Sequence, residues 1–283
     1  AHIAWTAPVT GKNDGYIDPA QLTYRIVRQP GNTLVAESVS GTSYDDEVTT
    51  APDNYYYEVT AFCGGRQGHT GTSNKGVFGT GSTLPYQLGF ESKTAFELWT
   101  VIDANHDFND LRYGKWQYGA DMKVTDDEGK VAVYKWHNDN DADDWIISPP
   151  FKVEKGKKYE VTYLVKTRSS EEQLQVAAGD LNTVERMVPI TEVMKLKSPD
   201  YLEKKAQFTA TKDGNFYVGF HALSKKRAYY LILKSISIDE VPNDDAPAAV
   251  EQLTATADPT GALKATVAFK APSKTKSGAA LTA

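Results

Sequence analysis

Asp143-Asp144-Trp145-Ile146-Ile147-Ser148-Pro149-Pro150-Phe151 is a short apolar run with acids ahead of it and prolines behind. It is too short for a stable helix, and the prolines end any hydrogen-bond ladder, so residues 145–148 read as one buried strand. Apolar strand residues follow Trp145, which places that ring in a core. The acidic cluster 139–144 caps the turns before the strand. Working outward, the same grammar recurs at 87–91, 130–136, 158–166, 173–178, 204–210, 215–221 and 229–239. Each run is separated from the next by Gly, Asn, Asp or Pro, the signature of a sandwich or barrel. Helical periodicity is nearly absent, and only 198–205 is expected to form a short helical turn. Roughly 155 strand-rich residues, 86–242, imply a two-sheet jelly roll.

The chain has 283 residues, more than one ordinary domain requires, so two or more modules are expected. Its net charge of -6 excludes a nucleic-acid partner, because phosphate binding needs clustered Lys and Arg. The longest basic clusters, 155–158 and 225–227, read as solvated loops. No apolar run is long enough to span a membrane. Cys63 is the one cysteine, so no disulfide framework exists within the chain, as suits a bacterial exported protein or a cytosolic one. Sixteen Tyr and five Trp, with many Thr, Val and Gly, suit pleated, half-buried surfaces.

Residues 1–82 carry a second set of strands. Leu22-Thr23-Tyr24-Arg25-Ile26-Val27-Arg28 alternates, Gln29-Pro30-Gly31-Asn32 turns, and Tyr55-Tyr56-Tyr57-Glu58-Val59-Thr60-Ala61-Phe62 alternates again. Residues 64–73 are Gly-rich and polar and suit a hairpin loop; 75–78 suit a last strand. The order Trp5-x-x-Pro8, Leu22-x-Tyr24-x-Ile26, Tyr57-x-Val59-x-Ala61 resembles a fibronectin type III module, a family of spacers and binding modules. The resemblance implies that Trp5 sits in the core on the second strand, and it lacks the first strand.

Residues 248–283 repeat this pattern. Val267-Ala268-Phe269-Lys270-Ala271-Pro272 lies over Ile3-Ala4-Trp5-Thr6-Ala7-Pro8, with Phe269 and Pro272 each 264 residues after Trp5 and Pro8. Val250-Glu251-Gln252-Leu253-Thr254-Ala255-Thr256 supplies the strand ahead of it. The segment is too short for a sandwich core of its own, so the chain is expected to be an excerpt of a longer tandem array, in contact with neighbouring modules of the same polypeptide. Residues 243–248 read as the linker.

Four landmarks in 86–242 add a second resemblance: Gly89-Phe90-Glu91, then Trp99-Thr100-Val101-Ile102-Asp103-Ala104-Asn105-His106-Asp107, then Asp143 to Phe151, then Ile232 to Val241. Together they resemble a cleaved-adhesin type jelly roll, related in shape to MAM and carbohydrate-binding modules. Asn105 and Asp144 depart from that pattern, as does the loop after Asp107, which lacks the family's glycines. The resemblance implies a structural calcium where the first and last strands meet, with Glu91, Asp103, Asn105, Asp107 and Asp239 as ligands. Asp103-x-Asn105-x-Asp107 independently sets oxygen side chains at alternate positions of a turning loop, the donor type that calcium takes.

Tyr113, Trp116, Tyr118 and Trp136 lie around a Gly-rich, polar stretch, where exposed rings would stack on the apolar face of a sugar. Chemistry finds little support: there is no Gly-x-Ser-x-Gly elbow, no His-Glu-x-x-His pattern, and no base placed by sequence beside Cys63. The expected function is a non-catalytic extracellular or cell-surface adhesion module that binds a glycan or a host protein. The alternatives are a purely structural spacer and an accessory region of a secreted glycosidase or peptidase.

Overall fold

A computed structural model describes residues 1–11, 13–108, 113–242, 247–261 and 263–281. The linker expected at 243–248 lies mostly outside the described residues. The chain forms two compact units, Ala1–Asp239 and Glu240–Ala283. Among the described residues no helix is long and apolar enough to cross a membrane.

The first unit begins with β1 (His2–Ala4), β2 (Leu22–Gln29), β3 (Thr33–Val39), β4 (Ser43–Asp45), β5 (Asp53–Cys63), β6 (Arg66–Thr72) and β7 (Gly76–Phe78). β1 pairs with β4, and β3-β2-β5-β6 form a second sheet with β7 on β5. The alternation predicted for β2 and β5 packs Ile26 and Tyr57 against Ile3, with Trp5 beside them. Asp46 is held at the same place, accepting from Arg28 Nη1 at 2.7 Å and from the Tyr57 hydroxyl at 2.8 Å.

Residues 64–73 are not a loop. β6 is a full partner of β5, with Val59 opposite Gly71 and Thr60 opposite Thr70. All seven of its residues are exposed. Its strand conformation is therefore held by the ladder and not by burial, which is why the polar, Gly-rich sequence disguises it.

The jelly roll contains β8 (Tyr86–Gly89), β9 (Thr100–Asp103), β10 (Lys115–Tyr118), β11 (Ala132–Lys135), β12 (Asp144–Ile147), β13 (Phe151–Val153) and β14 (Lys158–Thr167). It continues with β15 (Glu172–Gly179), β16 (Met187–Pro189), β17 (Met194–Leu196), β18 (Leu202–Thr209), β19 (Gly214–Ala222) and β20 (Tyr230–Glu240). One sheet runs β10-β11-β20-β14-β18, with β8 on β20; the other runs β16-β15-β19-β12-β9, with β13 on β19 and β17 on β15. The core fills the space between them. β14 contributes Tyr159, Val161, Tyr163 and Val165, every second residue.

Two expectations fail here. Residues 198–205 do not turn helically; Leu202–Thr209 is a strand opposite Lys158–Val165 of β14, with Ala206 and Phe208 inward. The long partner ladder outweighs weak local propensity. One short helix that no pattern announced, α1 (Lys93–Glu97), starts where the Ser92 hydroxyl accepts from the Ala95 amide at 3.1 Å.

The first and last strands of the jelly roll lie side by side, with Tyr86 opposite Ile238 and Gly89 opposite Ser235. Beyond that ladder β20 continues against β11, with Leu233 opposite Ala132 and Tyr230 opposite Lys135.

The second unit contains β21 (Glu251–Ala257) and β22 (Ala265–Lys270), paired antiparallel. Every residue of both strands is exposed.

Candidate functional site

One end of the sandwich interior is lined with acids. In β12 the inward positions alternate, so Ile146 in the core commits Asp144 to the same face. Asp144 is 0% exposed, and neither carboxylate oxygen has a hydrogen-bond partner among the described residues. Its register neighbour on β9 is Asp103. Burial first, then the charges of Asp103 and Asp107, push the Asp144 carboxyl up to about 8. Glu172, also 0% exposed, occupies the equivalent inward position two residues before Leu174 on β15. Burial raises its carboxyl as well. The Tyr134 hydroxyl is raised by burial and then by the charges of Asp144, Asp107 and Glu172, which puts all three around one buried ring.

The loop after β9 brings Asp107 to this end. Asp103 shapes the loop, its two oxygens accepting from the amides of Asp107 at 3.1 Å and Phe108 at 3.0 Å. Asn105 Nδ2 donates to Asp107 Oδ2 at 3.2 Å and to the Asp141 carbonyl at 3.0 Å. Asp107 Oδ1 is buried and unpartnered among the described residues. It sits where a side chain at Gly114 would be, because a Cβ there would meet it at 2.0 Å. Burial raises the Asp107 carboxyl. His137 lies alongside, its Nδ1 accepting from the Asp139 and Asn140 amides at 3.2 Å each.

Three orphaned carboxylate oxygens, two on Asp144 and one on Asp107, are a donor set that suits a hard cation. Among the described residues no three His, Cys, Asp or Glu side chains already form a metal cage. The five residues expected to meet do not all meet. Asp103, Asn105 and Asp107 are together, whereas Glu91 and Asp239 are apart from each other. Glu91 follows Gly89 past one end of the β8–β20 ladder and Asp239 follows Ile238 past the other. About six residues of strand, or about 20 Å, separate those levels. The sequence reading took the acids before Trp145 as turn caps and did not place Asp144 inside the sandwich, where the structure buries it.

The expected aromatic platform divides in two. Trp116 is 1% exposed and belongs to the core, donating through Nε1 to the Asp144 carbonyl at 3.2 Å. Tyr118 packs against the same core, 6.0 Å from Phe96. Both lie on β10, whose partner strand β11 supplies the core residues Ala132 and Tyr134. Tyr113 and Trp136 remain half-buried at the surface, edge to face at 5.1 Å. Two rings not foreseen join them: Tyr229 stacks on Trp136 at 4.9 Å, and Tyr230 meets it edge-on at 5.6 Å. Lys135 Nζ lies 3.7 Å from the Tyr113 ring centre, and the Arg168 guanidinium 5.3 Å from that of Tyr230. The Tyr229 amide donates to Glu172 at 2.6 Å, tying this group of rings to the acid end of the interior. Trp145 is buried as expected, on the outer side of its sheet, stacked at 4.0 Å on His221.

No protein-family model matches the chain, and no curated protein matches it. Solved structures do. The chain is similar to the K1 cleaved adhesin domain of Lys-gingipain from Porphyromonas gingivalis, at 15% identity and TM-score 0.41, covering 56% of this chain and 98% of that one. It is similar to the K2 cleaved adhesin domain of Lys-gingipain at 17% identity and TM-score 0.41, covering 54% of this chain and 98% of that one. It is also similar to the C-terminal family 6 carbohydrate-binding module of a laminarinase from Zobellia galactanivorans, at 12% identity and TM-score 0.31, covering 50% and 98%. Cleaved adhesin domains are thus among the solved structures this all-β chain is similar to, as the sequence resemblance implied.

Proposed function

We propose that the jelly roll is a non-catalytic, extracellular or cell-surface adhesion module that binds a glycan at the Tyr113, Trp136, Tyr229 and Tyr230 rings, beside a structural calcium. The observation that carries the ligand reading is the convergence of these four half-buried rings at one end of the sandwich, flanked by Lys135 and Arg168. Rings stack on the apolar face of a pyranose while the cations and neighbouring main chain take its hydroxyls. The orphaned oxygens of Asp144 and Asp107 support the calcium, with Asp103 and Asn105 shaping the loop that carries them. When bound, calcium would compensate the charge of the Asp144 and Asp107 carboxylates that would hold it. Everything else at this end is done by the chain: Trp116 fixes the Asp144 main chain, and Glu172 fixes Tyr229.

A glycan-array screen, with calcium and with chelator, tests the reading. Binding that is lost in Trp136→Ala supports it. No signal on any glycan, with the protein folded, would leave the spacer role in its place.

A further inference from the structure

The loop between β10 and β11 carries three acids in a row, Asp126-Asp127-Glu128. It lies on the outer face of the β10-β11-β20-β14-β18 sheet. Ala132 and Tyr134 on β11 and Leu231 and Leu233 on β20 enter the core, so Val133, Tyr230, Ile232 and Lys234 point the other way. The same alternation on β14 turns Lys166 outward. Val124 and Val131 pack with Val133 and Ile232, which anchors the loop on either side of the acids.

Between those anchors the tip is held by charge. Asp126 Oδ1 accepts from Lys166 Nζ, and Asp126 Oδ2 from Arg168 Nη2 at 2.7 Å. Asp127 Oδ1 accepts from Lys234 Nζ and Asp127 Oδ2 from the Tyr201 hydroxyl, each at 2.6 Å. Both ammonium groups also lie over the Tyr201 ring, at 4.5 and 5.1 Å from its centre. Donors on the sheet thus match every oxygen of two planar carboxylates. The tip that delivers them is strained: Asp127 and Glu128 are both left-handed, with φ of 47° and 59°. Residues with a Cβ keep that backbone only where their surroundings enforce it, and here the ion pairs do so. Arg168 joins this cluster to the rings, since its guanidinium lies 5.3 Å from the centre of Tyr230, which meets Trp136 edge-on.

We propose that Lys166, Arg168, Lys234 and Tyr201 form a carboxylate subsite for a glycan that contains uronic acid, and that Asp126 and Asp127 are internal occupants which the glycan displaces. The inference rests on the ring reading above: the rings stack on the sugar, and the subsite selects acidic sugars over neutral ones. Each internal carboxylate is held through both oxygens, the pattern of a planar two-oxygen group. Exchange of one pair of carboxylates for another keeps the charge of the seat and releases the left-handed tip.

Isothermal titration of the full chain with an oligogalacturonate, its fully methyl-esterified form and a sulfated oligosaccharide tests it. The acid is expected to bind about tenfold tighter than the ester, which has the same sugar backbone without the charge. The double variant Asp126→Asn, Asp127→Asn removes the competitor and should tighten binding of the acid by about fivefold. Lys166→Gln should bring the acid down to the level of the ester. Circular dichroism confirms that each variant folds. A second readout uses the unaltered chain: the Glu128 and Lys130 amides donate to the Thr125 and Asp127 carbonyls, and oligogalacturonate should speed their hydrogen exchange as the tip lifts. Equal affinity for acid and ester, or binding of neither, overturns the subsite. Tighter binding of the sulfated sugar overturns the carboxylate as the recognised group. Unchanged affinity in the double variant, with exchange unchanged or slowed, overturns the displacement. Trp136→Ala separates the two readings: weaker binding of both forms at the same ratio supports the rings and the subsite together, whereas full affinity with the acid still preferred overturns the rings and keeps the subsite.

Discussion

Asp144 and Asp103 stand opposite one another in the β12–β9 ladder, and with Asp107 they crowd three carboxylates into one end of the sandwich. A cation there offsets both the burial and the repulsion. Calcium is therefore expected to raise the melting temperature and chelator to lower it. Ligand at a hundred times its dissociation constant stabilises by about 2.7 kcal/mol, or roughly 5–10 °C for a unit of this size. Asp144→Asn is expected to lose most of that response. Differential scanning calorimetry in the two conditions decides; superimposable traces remove the calcium.

Without a cation the same carboxyl makes stability depend on pH. Its folded value of about 8 lies far above the unfolded value of about 3.9, so the native chain holds a proton that the unfolded chain has released. The stabilising proton is fully present below about pH 4 and is lost as pH rises towards 8. Metal-free protein should weaken over that window by at most about 1.4 kcal/mol per pH unit from this group. Glu172, raised by burial, acts in the same direction. Urea denaturation between pH 4 and 8 should show the slope, reduced but not abolished in Asp144→Asn.

The four aromatic residues first grouped together should separate by phenotype. Trp116→Ala empties a core position and is expected to cost about 3–5 kcal/mol. Trp136→Ala should cost less stability and reduce glycan affinity by tenfold or more, as read by isothermal titration with a glycan identified on the array. Equal affinity in Trp136→Ala and the parent chain removes the platform.

Gly114 has a positive φ of 74° and leaves the space that Asp107 Oδ1 fills. Gly114→Ala is therefore strained twice, by backbone and by contact, and is expected to destabilise by more than about 1 kcal/mol. It should also weaken calcium binding, measured by titration of the melting temperature. A variant with unaltered calcium response places Asp107 outside the cation site.

The strands of the jelly roll were legible because burial writes a period of two into β14 and the start of β15, and an unbroken apolar run into β19. β6 was not, because an exposed edge strand owes its form to a partner's main chain and leaves no apolar alternation. Asp103, Asn105 and Asp107 were legible as a loop motif. Asp144 was hidden because acids before a strand usually cap turns, and only the inward position of Ile146 reveals its direction. Tyr229 and Tyr230 lie about a hundred residues from Trp136 and reach it only through the β11–β20 ladder. Glu91 and Asp239 misled because adjacency of two strands does not specify which of their ends coincide.

The antiparallel pairing of β8 with β20 has a mechanical consequence. The backbone arrives at Tyr86 and departs beside it at Ile238, so tension along the polypeptide pulls both strands from one end. The rings and acids lie past the other end of β20, about 26 Å away along the strand at Tyr230. A pull along the polypeptide would therefore open the β8–β20 ladder from the Tyr86–Ile238 end first, and the rings at Tyr230 last.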